Sequence, residues 1–123
     1  MPLLLLLVLF AAGLGAHHGS ADYQTDREIT VTGVVRDWRW TNPHTRVWLT
    51  VTRAGGIREE WDGEGPPLTW AAQRGWSADT LRAGEEVSLV MYPAKREGRS
   101  GLVKRIRRAN GEVLDVSRPW LDR

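Results

Sequence analysis

The chain has 123 residues with a formal net charge of +2, and it contains seven tryptophans and no cysteine. Its length accommodates one domain. The net charge is too small to imply a polyanionic partner by itself. The lack of cysteine excludes disulfide bonds, a lipid-modified cysteine and a thiol nucleophile.

The first element is an uncharged apolar run over residues 3–14 that ends in small residues. It has the length of the hydrophobic region of a signal peptide and is shorter than the roughly 20 apolar residues that span a bilayer. We therefore expect residues 1–16 to be a signal peptide and the protein to be exported, either to the periplasm or into the medium. After cleavage we expect no stable membrane insertion. Cleavage after Gly15 and cleavage after Ala16 both remain open.

Two histidines, His17 and His18, follow this run directly. A free α-amine beside imidazoles is a strong ligand set for Cu(II) or Ni(II). If Ala16 is removed, the amine and ring of His17 can chelate together. If Ala16 is kept, His18 stands third, where the amine, two amides and the imidazole can surround a square-planar ion. The hypothesis is a copper site created by processing, and the alternative is a pair of polar residues that only flank the cleavage point.

The mature chain has a mostly two-residue hydrophobic period, and Gly, Pro and Asn separate its β-branched runs, which is typical of strands. The pattern predicts strands at 29–40, 46–52, 57–62, 86–92, 102–109 and 112–116. Gly33 is expected to form a bulge or bend in the first strand. Pro66-Pro67 predicts the start of a helix that continues to Gln73 and ends by Gly75.

Three strands, a short helix and two further strands are the order of the five-stranded Greek-key barrel called the OB-fold. The sequence thus predicts an all-β domain with one short helix, an OB-fold-like barrel of order β-β-β-α-β-β plus a short C-terminal strand. Residues 17–28 would form an N-terminal extension, 29–116 the barrel and 117–123 a tail. A generic small β-barrel or sandwich is the alternative.

Two loops flank the usual binding face of this fold, the first-to-second and the fourth-to-fifth strand connections. The first holds Asn42, Pro43 and His44, and the second spans residues 93–101.

Tryptophans supply nearly all the aromatic surface of the mature chain. Simple alternation places Trp38, Trp40 and Trp48 together on the sheet face opposite Val47. Such a strip beside His44 would stack a flat ligand or cover a metal site. The alternative is that the strip packs under the helix or under residues 17–28.

Charged side chains cluster in two places. Residues 95–108 are rich in Lys and Arg, which is compatible with a nucleic-acid groove but also with a basic edge strand that discourages sheet pairing. Export argues against nucleic acid and leaves an anionic envelope component open. The acidic residues of the third strand alternate between its two faces, so they do not form a pair of carboxylates for general acid–base catalysis. Glu64, expected in a loop before the helix, is a candidate oxygen ligand.

Several motifs give the chain a family resemblance. They are Ala16-His17-His18-Gly19-Ser20, Trp40-Thr41-Asn42-Pro43-His44, Trp61 with Glu64, Arg74-Gly75-Trp76 and Leu81-Arg82-Ala83-Gly84-Glu85. Together they resemble a family of small exported bacterial proteins of unknown function with a His-His mature start, a W-T-N-P-H motif and an R-G-W motif. The resemblance implies a periplasmic or secreted β-barrel with no established activity or cofactor. It marks His17, His18, Asn42, His44, Trp61, Glu64, Arg74 and Trp76.

The leading functional hypothesis is a small exported binding protein for a metal ion or an unknown small ligand, with copper as the metal. Its predicted metal ligands are His17, His18, His44 and Glu64. Its predicted ligand-binding residues are Trp38, Trp40, Asn42, Trp48, Trp61, Arg74 and Trp76. The second hypothesis is a structural or interaction module whose tryptophan face docks a partner protein. An enzyme, such as a copper oxidase, ranks third, and we expect no nucleic-acid partner.

Overall fold

Strands are the predominant regular secondary structure in the part of the chain that the structure describes. A computed structural model describes residues 20–96 and 98–116. In these residues the strands are β1 (Ile29–Arg39), β2 (Arg46–Thr52), β3 (Arg58–Glu64), β4 (Glu86–Pro93), β5 (Ser100–Arg108) and β6 (Val113–Asp115). The helix α1 spans Leu68–Gln73, and short 3-10 turns occupy Ser20–Asp22 and Ala54–Gly56. The strand and helix positions agree with the predicted ones to within about two residues.

The strands form a closed barrel. Their order in the sheet is β3-β2-β1-β4-β5-β6, with antiparallel neighbours throughout. The sheet closes because β3 also pairs in parallel with β5, where Gly63 lies opposite Gly101. This is the five-stranded OB-fold barrel with β6 as an added strand, so the predicted fold class is confirmed.

The barrel interior is filled by alternate side chains of the strands. The most deeply buried of them include Leu49, Leu89, Met91, Ile106, Val35 and Val47. Ala71 of α1 and the following Trp76 and Leu81 belong to the same cluster. A six-residue helix is too short to be stable alone. Packing against the core therefore stabilises α1. Burial of each large apolar side chain contributes about 1.5–3 kcal/mol to the stability of the folded protein.

The alternation of β1 is interrupted at Arg36. The register against β2 shifts between Val35 and Asp37, which places Trp38 opposite Val47. A bulge of this kind turns all following side chains to the other face. The register with β4 is unbroken through Gly33, so the bulge lies at Arg36 and not at the glycine. Gly33 serves a different purpose, since a Cβ there would lie 2.7 Å from the carbonyl oxygen of Thr50.

The bulge separates the tryptophans of the predicted strip. Trp38 and Trp40 pack against the core cluster, with their rings 6.2 Å apart. Trp48 stays on the outer face opposite Asp37. The prediction that Trp38, Trp40 and Trp48 share one face is wrong, because it assumed unbroken alternation through β1.

The basic strand β5 is not an edge strand, contrary to one interpretation of its sequence, since it pairs with β4, β6 and β3. Three of its four basic residues have acidic partners. Lys104 and Arg105 contact Glu28 at 2.7 and 3.4 Å, and Arg108 contacts Glu85 at 2.6 Å. Within the described residues no helix has the length and apolar character needed to cross a membrane.

Candidate functional site

A cavity of about 510 Å³ lies where the β1–β2 loop, the β4–β5 loop and the N-terminal segment meet. Its described lining is Ala21, Asp22, Tyr23, Thr41, Asn42, Pro43, His44, Arg46, Glu64, Ala94, Lys95 and Arg96. Both loops that flank the usual binding face of an OB-fold contribute to it. The cavity is therefore the candidate functional site.

Glu64 is the buried acid of this cavity, with 7% of the residue exposed. It is the last residue of β3, where it pairs with Arg46 of β2 and with Leu102 of β5. The prediction that Glu64 lies in a loop is wrong, because β3 continues two residues beyond its predicted end. Its position between two neighbouring strands fixes the carboxylate in place.

His44 reaches this carboxylate from the β1–β2 loop. Its Nε2 lies 3.2 Å from Oε1 of Glu64. The Asn42–Pro43 peptide bond is cis, and the loop is attached to the start of α1. There Asn42 accepts a hydrogen bond from the amide of Leu68 at 3.2 Å, and the amide of Thr45 donates to Pro66 at 3.0 Å. His44 therefore lies between two anchored residues, Asn42 through its side-chain oxygen and Thr45 through its backbone amide.

The second ring nitrogen of His44, Nδ1, is buried and has no hydrogen-bond partner in the described part of the chain. Buried polar atoms are normally paired, and an unpaired one costs about 1–3 kcal/mol. A ligand or metal ion that bonded to Nδ1 would remove this cost.

Tyr23 completes the shell of Glu64, since its hydroxyl donates a hydrogen bond to Oε2. Burial, then the hydrogen bond to Glu64 and the negative charge of Glu64, raise the pKa of Tyr23 above its usual range. The phenol therefore stays protonated and acts as a donor. Nothing in the sequence pattern marks Tyr23, because it lies outside the periodic strands.

The N-terminal segment is attached along the β4–β5 loop. The amide of Gln24 donates to Pro93 at 2.9 Å, and the amide of Lys95 donates to Asp22 at 2.9 Å. An isolated antiparallel bridge joins Tyr23 and Ala94. Residues 22–24 thus act as a short added strand that forms one wall of the cavity.

Arg46 and Asp62 form an ion pair beside Glu64. Two contacts join them, at 3.3 Å from Nε and 2.5 Å from the terminal nitrogen of Arg46. Burial lowers the pKa of Arg46, but the hydrogen bond and charge of Asp62 outweigh it and the net shift is upward. The cavity wall therefore carries a fixed, internally neutralised pair.

All five tryptophans predicted as ligand-binding lie away from the cavity lining. Trp76 is buried in the core and packs on Trp38, with ring centroids 5.8 Å apart. Trp61 packs against the core from β3 and donates to Glu59. None of the six tryptophans in residues 20–96 and 98–116 lines the cavity.

Two other members of the predicted ligand-binding set differ in position. Arg74 stacks on Trp70, with its guanidinium carbon 3.7 Å from the ring centroid, and does not line the cavity. Asn42 does line it.

The predicted metal ligands fall into two groups. His44 and Glu64 are in contact, whereas His17 and His18 lie outside the described residues. Among residues 20–96 and 98–116, no group of three or more His, Cys, Asp or Glu side chains is arranged to hold a metal ion. A third His, Cys, Asp or Glu ligand for a metal at His44 and Glu64 would have to come from outside these residues.

A comparison with curated proteins gives no match to the chain. A family model does match, over residues 6–105, and this range contains both cavity loops, Tyr23, His44 and Glu64. The chain belongs to the family of unknown function DUF6152.

Proposed function

We propose that this protein is an exported small binding protein that holds a transition-metal ion, with copper as the preferred metal. The site is the cavity around His44 and Glu64, completed by His17 and His18 of the processed N-terminus. The observation that carries the proposal is the contact of the His44 ring with a buried carboxylate in a cavity whose wall is the segment following those two histidines.

Covalent connection supports the participation of the N-terminal histidines. His18 stands three residues before Ala21, which lines the cavity. An extended chain spans at most about 3.6 Å per residue, so three residues reach at most about 11 Å. The hydrogen bonds of residues 22–24 fix the start of this tether beside the cavity.

The chemistry of the His44–Glu64 pair supports a metal at the imidazole. Metal-binding histidines usually donate their second ring N–H to a carboxylate or carbonyl, which sets the tautomer and the ring orientation. If Nε2 of His44 donates to Glu64, then Nδ1 carries the lone pair that binds a metal. We therefore assign Glu64 to orientation of the imidazole and not to direct ligation.

The remaining metal ligands come from the new N-terminus that cleavage of the signal peptide creates. A Cu(II) ion prefers nitrogen ligands in a tetragonal arrangement. The α-amine, His17 and His18 supply further nitrogens once residues 1–16 are removed. Export is part of the proposal, because without cleavage the α-amine is absent from this position.

The test uses protein exported from a bacterial host with its own leader. Intact-mass spectrometry gives the cleavage site and the copper stoichiometry, and competition titration gives the affinity for Cu(II). We expect one copper ion per chain. The His17→Ala, His18→Ala double variant and the His44→Ala variant should each bind copper at least tenfold more weakly.

A pair of conservative variants separates a local effect from a general one. Glu64→Gln removes the buried carboxylate charge, whereas Glu60→Gln removes an exposed one from the same strand. Copper affinity should fall in Glu64→Gln and remain unchanged in Glu60→Gln. A correctly processed protein that binds copper no more tightly than the His17→Ala, His18→Ala variant would contradict the proposal.

A further inference from the structure

The cavity is much larger than a metal ion requires. Its volume of about 510 Å³ lies within the range of about 300–1,000 Å³ that is usual for small-molecule sites. A four-coordinate metal with side-chain ligands at about 2 Å occupies only a small part of such a space. The cavity therefore has room for an organic ligand beside the metal.

One wall of the cavity presents unpaired positive charge. Lys95 and Arg96 of the β4–β5 loop both line it, and neither has an acidic partner within the described residues. Neighbouring basic residues differ in this respect, since Arg46 is paired with Asp62 and Arg99 lies 3.5 Å from Glu59. The acids of the lining are Asp22 and Glu64, and Glu64 is already satisfied by Tyr23 and His44.

The rest of the lining suits a short hydrocarbon stem. Ala21, Pro43 and Ala94 contribute apolar surface, and they come from the three segments that enclose the cavity. A ligand with two negatively charged ends and a short apolar middle would match this lining. One end would contact the cations, the other end would contact the metal at His44, and the middle would contact the apolar residues. Charge-assisted hydrogen bonds to Lys and Arg are the stronger kind, which favours carboxylate ends.

We propose that the cavity binds a small organic dicarboxylate, with one carboxylate on Lys95 and Arg96 and the other on the metal beside His44. The second contact rests on the proposed function. The first does not, because the two cations are present whether or not a metal is bound.

The experiment uses the processed protein and succinate as the probe, since succinate chelates copper weakly and does not strip it. Succinate is titrated into the copper-loaded and the copper-free protein, and binding is followed by calorimetry and by the Cu(II) electron paramagnetic resonance spectrum. We expect saturable binding, a changed copper spectrum and at least tenfold weaker binding of acetate.

Charge variants identify the carboxylate site. Lys95→Gln, Arg96→Gln should raise the succinate dissociation constant at least tenfold. The matched control is Arg58→Gln, Arg107→Gln, which removes two exposed charges from outside the cavity lining. Equal losses in the two pairs, or no loss in the first pair, would overturn the inference.

The copper titration without succinate separates the two proposals. If copper binds and succinate does not, the dicarboxylate site is wrong and the metal function stands. If copper fails to bind but succinate still binds through Lys95 and Arg96, the metal function is wrong and the anion site stands. If neither binds, both are overturned.

Discussion

Tyr23 and Glu64 are 41 residues apart in the chain and are joined by a hydrogen bond from the phenol to the carboxylate. The bond connects the N-terminal extension with the end of β3. Because β3 pairs with both β2 and β5 at this point, the extension is attached to a residue with strand neighbours on both sides. This attachment gives the candidate cavity its third wall.

Replacement of Tyr23 by Phe should destabilise the protein by about 1–3 kcal/mol, because it leaves a buried carboxylate oxygen without its donor. The free energy of unfolding in urea measures this. The control is Thr50→Val, which removes a hydroxyl that donates to the exposed Glu60. We expect a change of about 0.5 kcal/mol or less there, and equal effects of the two substitutions would refute a special role for Tyr23.

The same residue predicts how stability depends on alkaline pH. The pKa of Tyr23 is raised in the folded protein above its ordinary value of 10.0. The unfolded chain therefore loses this proton first as pH rises, so stability is retained below pH 10 and falls above it. Unfolding measured between pH 8 and 11 should show a steeper loss for the natural protein than for Tyr23→Phe. Parallel curves for the two proteins would contradict the shift.

The bulge at Arg36 predicts different costs for two tryptophans in neighbouring strands. Trp38→Ala should destabilise the protein by about 3 kcal/mol or more, since its ring packs on Trp76 and the core. Trp48→Ala should cost only about 1 kcal/mol, because that ring faces outward under the guanidinium groups of Arg36, Arg39 and Arg46. Denaturant unfolding of both variants checks the prediction, and similar costs would show that the two rings share an environment.

The close packing of Gly65 against the side chain of Thr45 gives a fourth prediction. A Cβ at Gly65 would lie 2.2 Å from the hydroxyl oxygen of Thr45, the residue after His44. Gly65→Ala should therefore destabilise the protein by about 1–3 kcal/mol through overpacking.

The double variant distinguishes this clash from a general cost of alanine. Thr45→Ala removes the hydroxyl that would be contacted, so Thr45→Ala, Gly65→Ala should be less destabilised than the sum of the two single changes. The free energy of unfolding of all three variants completes the cycle. Strict additivity would rule out the clash as the cause.

The architecture of the barrel could be predicted from local patterns. Strand β2 alternates cleanly, so its bounds and its buried face were correctly predicted, and the acids of β3 divide between the two faces as expected. The order of three strands, a helix and two strands along the chain is the order found in an OB-fold, so few other topologies had to be considered.

The tryptophan positions could not be predicted, for a physical reason. One extra residue in β1 inverts the direction of every later side chain in that strand. The bulge falls at Arg36, a residue type with no special backbone preference, and not at the nearby glycine. That Trp38 faces the core is therefore evident only from its pairing with Val47 of β2.

The candidate site was predicted in part. The contact between His44 and Glu64 follows from the fold, because the β1–β2 loop and the end of β3 lie side by side once β2 pairs with β3. Tyr23 was missed, since a single aromatic residue in an irregular segment has no periodicity to indicate burial. The polar contacts of residues 22–24 are long-range backbone bonds, which no local pattern encodes.

The backbone bonds of residues 22–24 to the β4–β5 loop have a practical consequence for anyone who handles this protein. A purification tag or reporter fused directly ahead of Ser20 would join the chain two residues before Asp22 and next to Ala21, which lines the cavity. If the cavity binds the proposed ligands, such a fusion would interfere with binding, so affinity measurements require protein without an N-terminal tag.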